Sequence, residues 1–135
     1  MLFRSDLSMT DPIADLLIRI KNGYLARRGS VMVPYSRFKE ALLVLLQKHG
    51  YIAEYSKDET SREINVKLLY REEIPALTDV KRISKPGLRR YVGKRDLDLI
   101  KSRLGHTIIS TPTGLKTHIE AKQAGTGGEV ICRIW

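Results

Sequence analysis

Apolar residues recur at helical spacing near the start of the chain. Pro12 suits the first turn of this helix, because the N–H that proline lacks would be unpaired there, and Thr10 or Asp11 can serve as the N-cap. Gly23 and Gly29 bracket its predicted end. The residues that share intervals of three or four positions, and therefore one helix face, are Ile13, Leu16, Leu17, Ile20 and Tyr24.

A second helical pattern follows a short predicted strand at residues 31–34. Ser36 can cap this helix, and Gly50 is a natural stop because glycine readily adopts the left-handed conformation that ends many helices. Two strand-like runs, residues 51–57 and 63–69, then flank a short polar turn. The predicted apolar stripe of the second helix consists of Phe38, Ala41, Leu42, Leu45, Leu46 and His49.

The second half of the chain is mostly β by its patterning. Pro86 and Gly87 predict a tight turn, and residues 96–103 have the spacing of a short helix. Thr117 can cap a further short helix that Gly125 ends. The predicted strands are residues 80–83, 88–92, 107–111 and 129–135.

These elements predict an α+β fold with two small subdomains. Residues 1–75 form an N-terminal α-β-α-β-β subdomain, in which residues 1–8 are an extension. Residues 76–135 form a β-rich C-terminal subdomain with one or two short helices. The boundary falls at the acidic, proline-containing connector of residues 71–78. A chain of 135 residues has the length for such a pair.

Positive charge is concentrated in one part of the chain. The 24 Lys and Arg residues exceed the 15 Asp and Glu residues by a net charge of +9. Residues 81–103 alone hold nine basic and two acidic residues, a net charge of +7. A folded chain this basic usually has a polyanionic partner, either nucleic acid or an anionic membrane surface. The hydrophobic content of 42% argues against a disordered basic tail.

Composition excludes several classes of protein. A single cysteine, Cys132, allows no intramolecular disulfide, which excludes a secreted disulfide scaffold. No apolar run approaches the roughly 18 residues of a membrane span, and we expect no targeting segment and no membrane partner. His49, His106 and His118 are too scattered for a zinc site, and Cys132 is expected to be a small buried hydrophobe. We therefore expect no catalytic residue, metal site, cofactor or enzymatic activity.

The glycine cluster at residues 125–128 has two interpretations. Gly125-Thr126-Gly127-Gly128 matches a bare G-x-x-G, a loop that lets an RNA backbone come close, and Gly125, Gly127 and Gly128 are then RNA-binding residues. The same glycines suit a helix C-cap followed by a turn, for purely steric reasons. The segment by itself leaves both interpretations open.

The segment between strand 107–111 and the cap at Thr117 is rich in hydroxyl groups. Serine and threonine hydroxyls can contact phosphate, the 2′-OH or base edges, and a lysine adds a contact to phosphate. An ordinary polar loop is the alternative, which composition alone favours. The candidate RNA-binding residues of this segment are Ser110, Thr111, Thr113, Gly114 and Lys116.

The basic stretch supplies a third group of candidates. Arginine interleaved with tyrosine around a tight turn is what phosphate neutralisation combined with base stacking requires. A solvated charged surface is the alternative, although the few acidic residues leave little salt bridging within the stretch. These candidates are Lys85, Arg89, Arg90, Tyr91 and Lys94.

Four segments keep the order and spacing of a known family. They are MTDPIADLLIRIKN at residues 9–22, KRISKPGLRRY at 81–91, S-T-x-x-G at 110–114 and E-A-x-x-x-G-x-G-G-E-V-x-C at 120–132. Together they resemble the bacterial-type eighth protein of the small ribosomal subunit, over about residues 9–135. Four matched segments are far more specific than one motif.

The resemblance implies a structural component of the small ribosomal subunit. Members of this family are primary binders of the central domain of the small-subunit ribosomal RNA and help its assembly. It also implies neighbouring small-subunit proteins as partners, a monomer within the ribosome and a cytoplasmic location, with an organellar ribosome left open. The RNA contacts that carry over are Ser110, Thr111, Gly114, Gly127, Gly128 and Glu129.

The hydroxyl-rich loop departs from the family pattern. Pro112 and Thr113 stand where the family usually has Ser followed by Lys or Arg, which removes a hydroxyl and a cation from the expected contacts. Lys116 can replace the charge. His118 stands where Asp is common.

Two other classes of protein remain as alternatives to a ribosomal protein. A different RNA-binding or RNA-modifying protein would be supported by an acid/base pair near the basic face, and the sequence shows no such pair. A DNA-binding module would carry a recognition helix rich in Arg and Asn. The second helix, with Arg37, Lys39 and Glu40 before a leucine stripe, lacks that character.

Overall fold

The structure is a computed structural model that describes residues 11–100 and 104–135. Within these residues the helices are α1 Pro12–Leu25, α2 Arg37–Lys48 and α3 His118–Ala124, with a 3-10 helix at Lys94–Ile100. The strands are β1 Ser30–Pro34, β2 Glu54–Asp58, β3 Glu63–Lys67, β4 Tyr70–Arg71, β5 Ile74–Pro75, β6 Val80–Arg82, β7 Tyr91–Val92, β8 His106–Thr111, β9 Gly114–Thr117 and β10 Gly128–Ile134. The α+β class is confirmed.

Contacts within the chain divide it into two compact units. One is Asp15–Val80, and the other joins Lys81–Trp135 to residues 11–14 at the start of α1. The subdomain boundary between residues 75 and 76 stays a prediction. The extension at residues 1–8 lies outside the described residues.

The first two helices begin at the predicted caps. Asp11 Oδ1 accepts a hydrogen bond from Ala14 N at 3.2 Å, and Ser36 Oγ accepts one from Lys39 N at 3.1 Å. Thr10 lies outside the described residues. Helix α1 ends at Leu25, between Gly23 and Gly29 as predicted, and Gly23 is buried inside the helix, where an added Cβ would come within 2.5 Å of Val31 Cγ1.

The buried face of α2 differs from the predicted stripe. Ala41 is exposed, whereas Leu43 and the stem of Lys39 are buried. The helix is therefore rotated so that large side chains face inward, because a leucine removes more apolar area from water than an alanine. Lys39 remains compatible with burial because its long apolar stem can lie along the core.

The unit Asp15–Val80 contains an antiparallel sheet in the order β1-β3-β2. Strand β2 begins at Glu54 rather than at residue 51, and Tyr51 and Ile52 are buried ahead of it without joining the sheet. The predicted connector also contains structure, since β4 and β5 form a hairpin through Glu72 and Glu73. Both glutamates have positive φ, 52° and 68°, as a two-residue primed turn requires.

The buried hydroxyl of Tyr24 ties three segments of this unit together. It donates to Tyr51 O at 2.6 Å and accepts from Leu69 N at 3.1 Å. Burial raises the pKa of Tyr24, so the group is a neutral hydroxyl that can both donate and accept. One side chain therefore forms hydrogen bonds to two backbone groups from different segments.

The second unit contains a sheet in the order β9-β8-β10-β6, with β7 also paired to β10. The predicted turn is confirmed, because Lys85 and Leu88 exchange backbone hydrogen bonds of 3.0 and 2.9 Å around Pro86 and Gly87. The strands on either side of the turn, β6 and β7, pair with β10 instead of with each other. The turn therefore connects two strands that both pair with β10 and not with each other.

Two features of this unit differ from the prediction. The helix over residues 96–103 is a 3-10 helix that begins at Lys94, with Leu97 and Ile100 packed beside Ile109. Residues 101–103 lie outside the described part. The i,i+3 spacing of Leu97 and Ile100 matches the three-residue repeat of a 3-10 helix. Strand β9 was missed because residues 114–117 contain a single apolar position.

The last strand does not alternate regularly between buried and exposed residues. A register shift lies between Val130 and Cys132 opposite β8, and Val130, Ile131 and Cys132 are all buried. A bulge of this kind inserts an extra residue and interrupts the alternation of faces. Cys132 is fully buried, and this desolvation raises the pKa of its thiol to about 12. Its predicted place among the buried hydrophobes is confirmed.

We expect Tyr24→Phe to lower the free energy of unfolding by about 1–3 kcal/mol, because it leaves a backbone N–H and a backbone C=O without their partner. Tyr70→Phe is the matched control, since the Tyr70 hydroxyl makes a single exposed bond to Arg28 O at 2.7 Å. Urea denaturation of both variants measures the difference. Equal losses would contradict the role of the buried hydroxyl.

Candidate nucleic-acid interface

Three segments far apart in the sequence meet at one end of the second sheet. Ser110 of β8 lies directly opposite Glu129 of β10, and Glu129 lies directly opposite Tyr91 of β7. Residues opposite each other in an antiparallel sheet point to the same face, and neighbouring strands are about 4.8 Å apart. The structure thereby joins the hydroxyl-rich segment, the Gly-Gly-Glu turn and the basic stretch. We call Ser110, Glu129 and Tyr91 the cross-strand row.

The hydroxyl-rich segment is a hairpin, not the loop that composition favours. Strands β8 and β9 pair from Thr111 opposite Gly114 to Ile108 opposite Thr117. Thr111 is buried, and its hydroxyl donates to Gly114 O at 2.7 Å and accepts from Thr113 N at 3.2 Å. Its hydroxyl therefore closes the turn.

The other candidates of this segment are more accessible than Thr111. Thr113 and Gly114 are exposed, and Ser110 and Lys116 are half-buried. Gly114 has a φ of +122° with open space around it, so glycine serves the backbone conformation there. The exposed turn presents one hydroxyl and an uncovered backbone.

The glycines before β10 have a clear packing role. A Cβ on Gly127 would lie 2.1 Å from Val92 O, and one on Gly128 would lie 2.0 Å from Ser110 O. Gly125 ends α3 in the left-handed conformation with φ +67°, and open space surrounds it. The steric interpretation therefore accounts for Gly127 and Gly128. The approach of an RNA backbone to these glycines stays a prediction.

Glu129 is held by hydrogen bonds within the protein. Its Oε2 accepts from Ser84 Oγ at 2.5 Å and from Arg89 Nη1 at 3.0 Å, and Ser84 Oγ in turn accepts from Arg90 N at 3.1 Å. Partial burial raises the pKa of Glu129, but the hydrogen bonds from Ser84 and Arg89 outweigh it and hold the pKa below its ordinary value. The carboxylate thus fastens the basic stretch to β10.

The basic candidates lie on the surface around this anchor. Tyr91 is 72% exposed, so its ring is available for stacking, and Leu88 beside the turn is 55% exposed. Lys94 opens the 3-10 helix. The exposed cations among the sequence-predicted residues are Lys85, Arg89, Arg90 and Lys94.

Two residues of the basic stretch have roles that the sequence analysis missed. Ser84 is fully buried and links Glu129 to Arg90. Arg82 forms an ion pair with Asp11 at 3.0 Å and donates to Ile131 O at 2.7 Å. Both lie in the matched segment KRISKPGLRRY, and this match was the only sequence signal for their importance. Their partners are up to 71 positions away, and no local pattern reveals such contacts.

The described residues offer little for other chemistry. Among residues 11–100 and 104–135, no group of three or more His, Cys, Asp or Glu side chains is placed to hold a metal ion. In the same part of the chain, no helix has the length and apolar character to cross a membrane.

Together, an α+β fold and a cationic sheet end beside exposed hydroxyl and glycine residues indicate a nucleic-acid-binding protein. The sequence profile described as Ribosomal protein S8 matches residues 11–135, and the chain belongs to this family.

Similar proteins cover nearly the whole chain. The small ribosomal subunit protein uS8 of Dictyoglomus thermophilum is 45% identical over 131 residues, which is 96% of this chain and 100% of that protein. The uS8 protein of Persephonella marina is 42% identical over 94% of this chain and 99% of its own length. That of Shewanella oneidensis is 45% identical over 95% of this chain and 99% of its own.

We expect Gly128→Ala to lower the free energy of unfolding by about 1–3 kcal/mol, because the new methyl group overlaps Ser110 O. Gly87→Ala is the matched control, since nothing lies within 4 Å of that position and its φ is not positive. We expect its effect to be within about 0.5–1 kcal/mol. Denaturant titration measures both variants. An unchanged free energy of unfolding for Gly128→Ala would contradict the close approach of Gly128 to Ser110 O.

We expect Glu129→Gln to make the free energy of unfolding depend less on pH below 4.5. The pKa of Glu129 is lower in the folded than in the unfolded chain, so its ionised form stabilises the fold above the ordinary value of 4.5. This contribution disappears as the pH falls through the folded pKa. The free energy of unfolding of the unmodified chain should therefore fall more steeply below pH 4.5 than that of the variant.

The control for this measurement is Glu54→Gln. Glu54 lies in β2 and makes an exposed pair with Lys67 at 3.9 Å, so its removal should leave the acid limb of the curve unchanged. If the free energy of unfolding falls equally steeply below pH 4.5 for Glu129→Gln and for the unmodified chain, the ionised Glu129 carboxylate does not stabilise the fold.

Proposed function

We propose that this chain is a structural component of the small ribosomal subunit that binds ribosomal RNA through the cross-strand row and the cations around it. The observation that carries the proposal is the strand register, which places Ser110, Glu129 and Tyr91 side by side. Membership in the ribosomal protein S8 family supports the same conclusion. The chain acts by binding and not by catalysis.

The residues of this face have distinct tasks in the proposed complex. Lys85, Arg90 and Lys94 neutralise phosphates, and the exposed ring of Tyr91 stacks on a base. Glu129 cannot itself attract a phosphate, because both are anionic. It acts by holding Ser84 and Arg89, so that the basic stretch is already ordered before RNA arrives.

The hairpin β8–β9 supplies contacts of short range. Ser110 and Thr113 offer hydroxyls to phosphate or to the 2′-OH, and Lys116 replaces the cation that the loop lacks. Gly114 leaves room for a backbone to approach, whereas Thr111 keeps the turn closed. These residues read the shape of the RNA more than its sequence.

The partners follow from the same proposal. The central domain of the small-subunit ribosomal RNA is the RNA partner, and neighbouring small-subunit proteins contact the remaining surface. The chain enters the ribosome as a monomer. A DNA-binding module is the rival, and it would use a helix in the major groove, whereas this face is built from strands and turns.

We expect Ser110→Ala to weaken binding of a small-subunit ribosomal RNA fragment by roughly five- to tenfold, the loss of about one hydrogen bond. Ser56→Ala, at an exposed position of β2, is the matched control and should bind like the unmodified chain. Filter binding at several salt concentrations measures both. Unchanged affinity of Ser110→Ala, or equal affinity of the unmodified chain for duplex DNA, would argue against the proposal.

A further inference from the structure

A cavity with a cationic lining lies along β10, and two of its lining cations, Lys85 and Arg90, are also among the cations around the cross-strand row. It has a volume of about 350 Å³ and is bounded by β6, the Pro86-Gly87 turn and the far part of β10. Two apolar side chains complete the wall. The cationic side chains that line it are Lys81, Arg82, Lys85, Arg90 and Arg133.

Among residues 11–100 and 104–135, no carboxylate lines this cavity. Arg82 is compensated outside it, since Asp11 holds its guanidinium at 3.0 Å and Ile131 O accepts a further hydrogen bond. Within the described residues, none of the four remaining cations forms an ion pair with a carboxylate. The cavity is therefore an uncompensated cluster of positive charge.

Arg133 is a second and independent sign of a missing ligand. Its Nε is buried and has no hydrogen-bond partner within the described residues. Unpaired buried donors are rare in folded proteins, because each loses its bonds to water without replacement. A guanidinium is also suited to bidentate recognition of a phosphate or a carboxylate.

We propose that this cavity is a subsite for one phosphate group of the bound RNA, in addition to the contacts at the cross-strand row. Arg133 stands four residues beyond Glu129 on β10, which places the subsite about 13 Å along the strand. A phosphate brings negative charge and several acceptor oxygens to four cations that form no ion pair with a carboxylate in the described part of the chain. The inference rests on the proposed function for the identity of the ligand, whereas the cavity itself can be tested with inorganic phosphate.

The subsite changes how the RNA is held. The cross-strand row presents a hydroxyl and an aromatic ring on one face of the sheet, and the cavity adds a point of charge recognition further along β10. Two separated contacts fix the orientation of a backbone, whereas one contact fixes only its position. The basic stretch then supplies cations to both contacts, because Arg90 lines the cavity and is also held through Ser84.

The first experiment uses the full chain and inorganic phosphate in place of chloride at constant ionic strength. A ligand that binds only the folded state raises the Tm. Phosphate should raise the Tm of the unmodified chain and of the control Arg37→Gln, an exposed position in α2, and should raise that of Arg133→Gln less. Equal shifts in all three would overturn the subsite. Lys81→Gln serves the same purpose where Arg133→Gln does not fold.

The second experiment measures the salt dependence of binding to a small-subunit ribosomal RNA fragment. Loss of one phosphate contact lowers the magnitude of the slope of log K against log salt by about 0.7–0.9. We expect this decrease for Arg133→Gln and an unchanged slope for Arg37→Gln. If the unmodified chain binds the RNA and Arg133→Gln keeps its slope, the phosphate subsite is wrong.

The two experiments separate the two proposals. Failure of the unmodified chain to bind ribosomal RNA refutes the proposed function, and phosphate stabilisation that depends on Arg133 would then still support the anion subsite. Arg133→Gln should not lower the Tm in chloride, because it removes an unpaired donor and one of several like charges. A lower Tm in chloride would show that Arg133 also stabilises the fold, and the comparison of phosphate with chloride would then rest on Lys81→Gln, whose unchanged phosphate shift would overturn the inference.

Discussion

Close backbone contact at Gly127 and Gly128 is the constraint on which the end of the second sheet with the cross-strand row depends. Each glycine lies so near a carbonyl oxygen, of Val92 in one case and Ser110 in the other, that a Cβ has no space. Strand β10 can therefore lie against β7 and β8 at the same point. The register that follows puts Ser110, Glu129 and Tyr91 in one row. The hydroxyl groups, the carboxylate and the aromatic ring of these segments can act as one site only because the close backbone contact brings the segments together.

Electrostatics divides the basic stretch into residues that hold the fold and residues that remain free to meet a polyanion. Asp11 compensates Arg82, and Glu129 compensates Arg89. Lys85 and Arg90 stay exposed beside them. Two carboxylates thus order a segment that like-charge repulsion would otherwise keep extended. The net charge of residues 81–103 overstates the charge available for binding, because part of it is paired within the protein.

Local signals in the sequence were sufficient for the class of fold and for the N-caps of α2 and α3. Ser36 and Thr117 cap their helices because a side-chain oxygen needs only a backbone N–H three residues away. The cross-strand row was beyond such reasoning, since register depends on pairing between distant strands. Three of the matched segments contain the residues that meet in the cross-strand row, but they did not reveal that Glu129 accepts a hydrogen bond from Ser84. Strand β9 lacked any periodic signal, and its pairing with β8 makes it a strand.

The buried thiol of Cys132 makes the chain a reporter of its own local opening. The thiol is fully inaccessible, and its pKa near 12 leaves almost no thiolate at neutral pH. A water-soluble disulfide reagent can therefore reach it only when β10 transiently leaves its neighbours. Because the sequence has one cysteine, the rate of labelling follows a single exchange process and yields the free energy of that opening. A bound polyanion that holds β10 in place would lower the rate of Cys132 labelling, and no label on the binding face would be needed to detect it.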